Sequence, residues 1–171
     1  RVLVVYLPDC HESLAGIIAG RIRERYYRPV FVLTRSEERV KGSGRSIEAY
    51  SMFEEMSRCR ELFVKYGGHP MAAGLSLQEK DVEEFRRRMN ENCTLTSEDL
   101  TEVERIDMVL PFRWVTESLI EELELLEPFG KGNTRPVFAV RNVRVLESRV
   151  LGKNQNMLRV KLMDEEGTVM E

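Results

Sequence analysis

The 171-residue chain carries only three cysteines, Cys10, Cys59 and Cys93, and two histidines, His11 and His69. An odd cysteine count without paired spacing excludes a disulfide scaffold and implies free thiols in a reducing cytoplasm. With so few histidines, no His, Cys or carboxylate cluster has ligand spacing, so no complete metal site is expected in this chain. No apolar run approaches the ~20 residues that span a bilayer, which excludes a membrane partner of that kind. The opening Arg1-Val2-Leu3-Val4-Val5 lacks the architecture of a signal peptide and is expected to begin inside a fold. Aromatic residues are also scarce: near the C-terminal basic strands only Phe129 and Phe138 are available to stack on a planar ligand.

A net positive charge is missing too. The formal balance is −3, which alone argues against a nucleic-acid partner. Its distribution argues the other way. Arg21 to Arg45 holds eight basic against three acidic residues, Glu98 to Glu127 ten acidic against two basic, and Pro128 to Lys161 eight basic against one acidic. Two basic blocks around an acidic connector suit a polyanion, although charge runs are most often solvated faces. The length allows one large domain or two small ones.

Taken in order, Val2 to Leu7 predicts a buried strand ending at Pro8-Asp9. Ser13 to Tyr27 predicts a helix with Leu14, Ile17, Ile18, Ile22 and Tyr26 on its apolar side. In that helix Ala15, Gly16, Ala19 and Gly20 form small pairs that permit close approach to a sheet or a ligand, and Arg21 stands at the edge of the apolar face, aimed at a cleft. Val30 to Leu33 completes a strand–helix–strand unit. Val40 to Ile47 reads as a strand with a glycine kink, Glu48 to Lys65 as a helix in two pieces, and Met71 to Leu77 as a strand. Gln78 to Asn92 predicts an amphipathic helix with Val82, Phe85 and Met89 inward. The polar run Thr94-Leu95-Thr96-Ser97 marks a boundary. A connecting strand over Leu100 to Leu110, a helix over Val115 to Glu127 stopped by Pro128, a glycine loop over Phe129 to Asn133 and a strand over Pro136 to Val140 follow. Val143, Val145, Leu158, Val160 and Leu162 then alternate with Arg144, Arg159 and Lys161, an antiparallel pattern with a basic outer face.

The chain is organised around Tyr66-Gly67-Gly68-His69-Pro70-Met71-Ala72-Ala73-Gly74, where little side chain surrounds one imidazole. Glycine lets a ligand approach the backbone, and bare N–H groups beside a histidine suit an anionic oxygen. A tight turn into a buried strand, with His69 satisfied by a carbonyl, reads equally well from the residues alone. Arg45-Ser46 likewise read as a surface arginine and a capping serine.

Gly67-Gly68-His69-x-x-Ala72-Ala73-Gly74 resembles the signature of the DHH-associated domain, the second half of the DHH phosphoesterase superfamily, and Gly42-Ser43-Gly44-Arg45-Ser46 resembles that family's Gly-x-x-Arg-Ser strand and turn. Leu126 to Asn133 followed by Pro136-Val137-Phe138 resembles the segment that leads into an OB-like barrel in RecJ-type single-strand-specific exonucleases. The resemblance implies an α/β fold: a DHH-associated domain over 1–93 with a mixed sheet flanked by helices, a connector over 94–135, and the truncated start of a mainly antiparallel OB-like domain over 136–171. It implies a 5′ to 3′ exonuclease acting on single-stranded DNA in repair and recombination, with Mn2+ or Mg2+ held by an N-terminal DHH domain of the same polypeptide. The chain has neither an Asp-His-His nor an Asp-x-Asp motif, so alone it is expected to bind no metal and to be inactive.

By the same resemblance Arg45 pairs with a phosphate oxygen, Ser46 adds a hydroxyl, and Gly44, Gly67 and Gly68 present backbone. His69 then stabilises the scissile or adjacent phosphate, and Arg21 meets a neighbouring one. Arg144, Arg159 and Lys161 are the expected nucleic-acid groove. His11 stands where relatives have Trp-His, with Cys10 replacing the tryptophan. Two other readings stay open: a small-nucleotide phosphodiesterase, which residues 1–93 would serve equally, and a non-catalytic interaction module.

Overall fold

The computed structural model describes every residue except Lys131, which leaves part of the expected glycine loop outside the described residues. The chain divides into Arg1–Glu102 and Val103–Glu171.

The first unit is a five-stranded sheet of β1 (Leu3–Tyr6), β2 (Val30–Arg35), β3 (Val40–Arg45), β4 (Phe63–His69) and β5 (Ala72–Leu77), in the order β1-β2-β3-β5-β4. Strands β1 and β2 are parallel, joined by helix α1 (Glu12–Tyr26), which is the expected strand–helix–strand unit. Strands β3, β4 and β5 add antiparallel. Because side chains alternate across a strand, Phe31, Leu33, Val40, Leu75 and Leu77 face one way. They form the main core with Met52 and Met56 of α2 (Met52–Ser57) and Val82, Phe85 and Met89 of α3 (Val82–Glu91). All three inward positions read from the α3 periodicity are buried.

On the other face Val30 and Val32 pack under Ala15 and Ala19 of α1. The expected apolar stripe of α1 is therefore only partly right, since Leu14, Ile17 and Tyr26 are exposed. The sheet supplies the bulk here, and the small residues of the helix let the two backbones close together. The helix expected over Glu48 to Lys65 is shorter than read: within it only Met52–Ser57 is α-helical. Phe63 to Lys65 extends as strand β4 after a short 3-10 turn at Arg60–Leu62. In that conformation Phe63 meets the Phe85 ring edge-on at 5.4 Å. Strand β4 continues through Gly67-Gly68-His69, so the sharp reversal falls at Pro70-Met71 and not at the glycines.

In the second unit, β6 (Met108–Val109) pairs parallel with β7 (Phe138–Ala139), and β8 (Arg144–Leu151), β9 (Met157–Met163) and β10 (Val169–Met170) form an antiparallel sheet. The expected Leu100 to Leu110 strand shrinks to those two β6 residues. Helix α4 (Glu117–Glu124) is shorter than expected and starts where Thr116 Oγ1 accepts the Leu119 N–H. Buried Asp164 accepts from Phe112 N at 2.9 Å through one oxygen and from Glu166 N and Thr168 N through the other, closing the β9–β10 turn.

Candidate functional site

The strand register places nine residues in a grid on the α1 side of β3, β5 and β4. Arg45, Ala72 and His69 form one row, Ser43, Gly74 and Gly67 the next, and Lys41, Ser76 and Lys65 the third. Arg45 and His69 are thus two strand spacings apart, ~10 Å between backbones, and on the same face. Lys65, Gly67, His69 and Gly74 are all exposed. Over the second and third rows lies a cleft of about 590 Å³ whose far wall is the start of α1.

Arg45 Nη1 donates to Gly44 O at 2.8 Å and to Ser43 Oγ at 3.2 Å. These bonds fix the guanidinium plane against α1 and leave its other donors open. Gly16 of α1 makes the position possible: a Cβ there would stand 3.0 Å from Arg45 Nη2 and 3.2 Å from Ser43 Oγ. His69 Nδ1 accepts the Met71 N–H at 3.3 Å. The neutral ring therefore carries its proton on Nε2, as a donor free to meet an anion.

The glycines separate into two kinds. A Cβ on Gly68, at a φ of +155°, would meet the backbone Ala72 O of the paired strand at 2.4 Å, and one on Gly44 would meet Met52 Sδ at 2.6 Å in the core, so the fold itself requires both. Gly67 has no atom within 4 Å of a built Cβ, and Gly74 has only Gly42 O at 4.0 Å. Nothing within the fold demands glycine at these two places. They leave the α1 side of the sheet bare between the Arg45 and Lys41 rows.

Other expected site residues fall elsewhere. Ser46 is buried, with its hydroxyl donating to Tyr50 O at 2.5 Å and its N–H to Met71 O, so it builds the turn beside the site and offers no donor to the cleft. Arg21 projects into solvent and pairs with Glu24 at 3.3 Å, outside the cleft lining. His11 caps α1, its Nδ1 accepting the Ser13 N–H at 3.3 Å, and lies at the cleft mouth. In the second unit Arg144, Arg159 and Lys161 share one face, joined by Arg149 directly opposite Arg159. Arg149 was missed because a bulge between Val145 and Glu147 shifts the alternation by one residue. That face is not purely basic: Arg159 pairs with Glu171, and Glu147 stands opposite Lys161. Lys41, Ser43, Lys65 and Ser76 also line the cleft, brought together by the period-two pattern of β3 through β5.

Among the described residues no three His, Cys, Asp or Glu side chains converge to hold a metal ion, and no helix is long and apolar enough to cross a membrane.

The chain belongs to the DHHA1 domain family, whose pattern it matches over residues 1–94. Residues 106–171 match the RecJ OB domain. The chain is 37% identical over 167 residues to the single-stranded-DNA-specific exonuclease RecJ of Bacillus subtilis, covering 95% of this chain and 21% of that protein. It is 32% identical over 157 residues to RecJ of Thermus thermophilus, covering 92% and 23%. The crystal structure of Thermus thermophilus RecJ in complex with Mg2+ superposes with a TM-score of 0.80 at 28% identity, covering 99% of this chain and 26% of that one. Its complex with Mn2+ gives 0.76 at 28% identity, covering 98% and 24%. The chain thus spans about a quarter of the relatives it matches.

Proposed function

We propose that this chain is the substrate-binding part of a metal-dependent exonuclease that digests single-stranded DNA from the 5′ end during repair and recombination in the cytoplasm. The observation that carries the reading is Arg45 and His69 in one register row on an exposed sheet face, beside Gly67 and Gly74. A phosphodiester laid there receives the planar fork of Arg45 on one side and the Nε2–H of His69 on the other. Negative charge gathering on the phosphoryl oxygens during displacement is stabilised by such fixed donors. Ser46, Gly44 and Gly68 serve this site indirectly, by shaping the turn and the strand contacts that hold Arg45 and His69.

On the resemblance to RecJ, Mg2+ or Mn2+ is assigned to a DHH domain of the same polypeptide, with the hydrolytic step there and substrate binding here. The face bearing Arg144, Arg149 and Lys161 supports a long strand over a dinucleotide as substrate, since a basic surface tracks a phosphate backbone. The test is binding of an oligodeoxythymidylate to the 171-residue chain across a salt series. Affinity is expected to fall steeply as salt rises, because each phosphate contact releases counterions. A flat response removes the nucleic-acid reading.

A further inference from the structure

Arg45 and His69 occupy only one end of the exposed face. At the other end Lys41, Ser76 and Lys65 stand opposite one another on β3, β5 and β4. They lie four residues along the strands from the Arg45 row, ~13 Å away. The cleft covers this end and takes in His11, Ser13 and Thr34. Lys41 Nζ lies 2.6 Å from the Glu12 carboxylate, and that contact holds the Glu12 carboxyl below the usual range. Lys65 is exposed and makes no ion pair among the described residues, so it is the free cation of the row.

Thr34 is the second observation. It is fully buried, next to Lys41 in register, and lines the cleft, yet its Oγ1 has no hydrogen-bond partner. A buried hydroxyl is disfavoured unless something completes it.

We infer that the Lys65 end of the cleft is a second phosphate subsite, which takes an internucleotide phosphate of a strand whose scissile phosphate lies between Arg45 and His69. This rests on the reading given under Proposed function. The separation is wider than the step between adjacent phosphates, so a dinucleotide engages one subsite and a longer oligonucleotide engages both. The cleft thereby discriminates by chain length.

The experiment is calorimetric titration of the 171-residue chain at low salt with 5′-phosphorylated dithymidylate and octathymidylate. Lys65→Ala is expected to weaken octamer binding about 5- to 10-fold, as one charge-assisted contact is lost. It should reduce the salt slope by about 0.7 and leave dinucleotide binding at its parental strength. Thr34→Val, which removes only the unpartnered hydroxyl, is expected to weaken the octamer without lowering thermal stability. Parental octamer binding in either variant, or equal losses for both ligands, overturns the subsite. Arg45→Ala separates the two claims: weakening of both ligands there, with no loss in Lys65→Ala, leaves the first site standing and removes the second. A parental chain that binds neither ligand removes both.

Discussion

Replacing Gly16 with alanine pulls stability and binding in opposite directions. Gly16 is in the interior of α1, where alanine is favoured over glycine by about 1 kcal/mol. Its added Cβ would stand 3.0 Å from Arg45 Nη2, inside ordinary contact distance. The guanidinium is the far end of a flexible side chain, so it gives way by a few tenths of an ångström and the helix keeps most of its gain. A hydrogen bond to a charged group is worth about 1.5–3 kcal/mol, or roughly 10- to 150-fold in affinity. Partial displacement of the donor should cost about 3- to 10-fold of that. Gly20 is the matched control, on the same helix with no atom within 4 Å of a built Cβ. Urea denaturation and fluorescence anisotropy with a labelled oligodeoxythymidylate give the two readouts. Gly20→Ala is expected to gain stability with parental binding, and Gly16→Ala to gain stability and lose binding. Parental binding in both variants would refute the claim that Arg45 acts from its position against α1.

Further expectations concern the fold. Phe85 is fully buried against the rings of Phe31 and Phe63, and Phe85→Ala should cost about 3–5 kcal/mol in denaturant unfolding. Asp164→Ala strands three backbone N–H groups and should cost about 2–4 kcal/mol; a loss below 0.5 kcal/mol would contradict its organising role. Burial, with the nearby Glu61 charge second, pushes the Cys59 thiol up to about 11 from its ordinary 9.0. A raised folded value means the stability it contributes is complete below the unfolded value and is lost as pH rises from about 9 through about 11. Cys59→Ala should therefore flatten the stability profile over that window, as read by urea midpoints at successive pH values.

Much of the first unit could be read in advance because its elements are decided locally. The parallel β1–α1–β2 unit and the inward stripe of α3 follow from apolar period alone. What escaped was decided by tertiary contact. Leu14 and Ile17 looked like the buried side of α1, but Ala15 and Ala19 are the residues that fit against Val30 and Val32. Phe63 to Lys65 carried a helical pattern and extends instead to pair with β5. The same limit applies to the site. Arg45 and His69 were marked by local glycine-rich sequence, whereas Lys41, Lys65 and Ser76 joined them only through strand register. Gly67 and Gly68 looked alike in sequence, and only the space around each separates a packing glycine from one left bare.

The most direct test of the central claim is turnover of single-stranded DNA by the full-length protein carrying Arg45→Ala, His69→Ala and both. Each single variant is expected to lose about 10²-fold. The double variant should lose less than the product of the two, because both side chains act on one phosphate. Near-parental turnover in the two single variants, with folding intact by circular dichroism, would contradict the account.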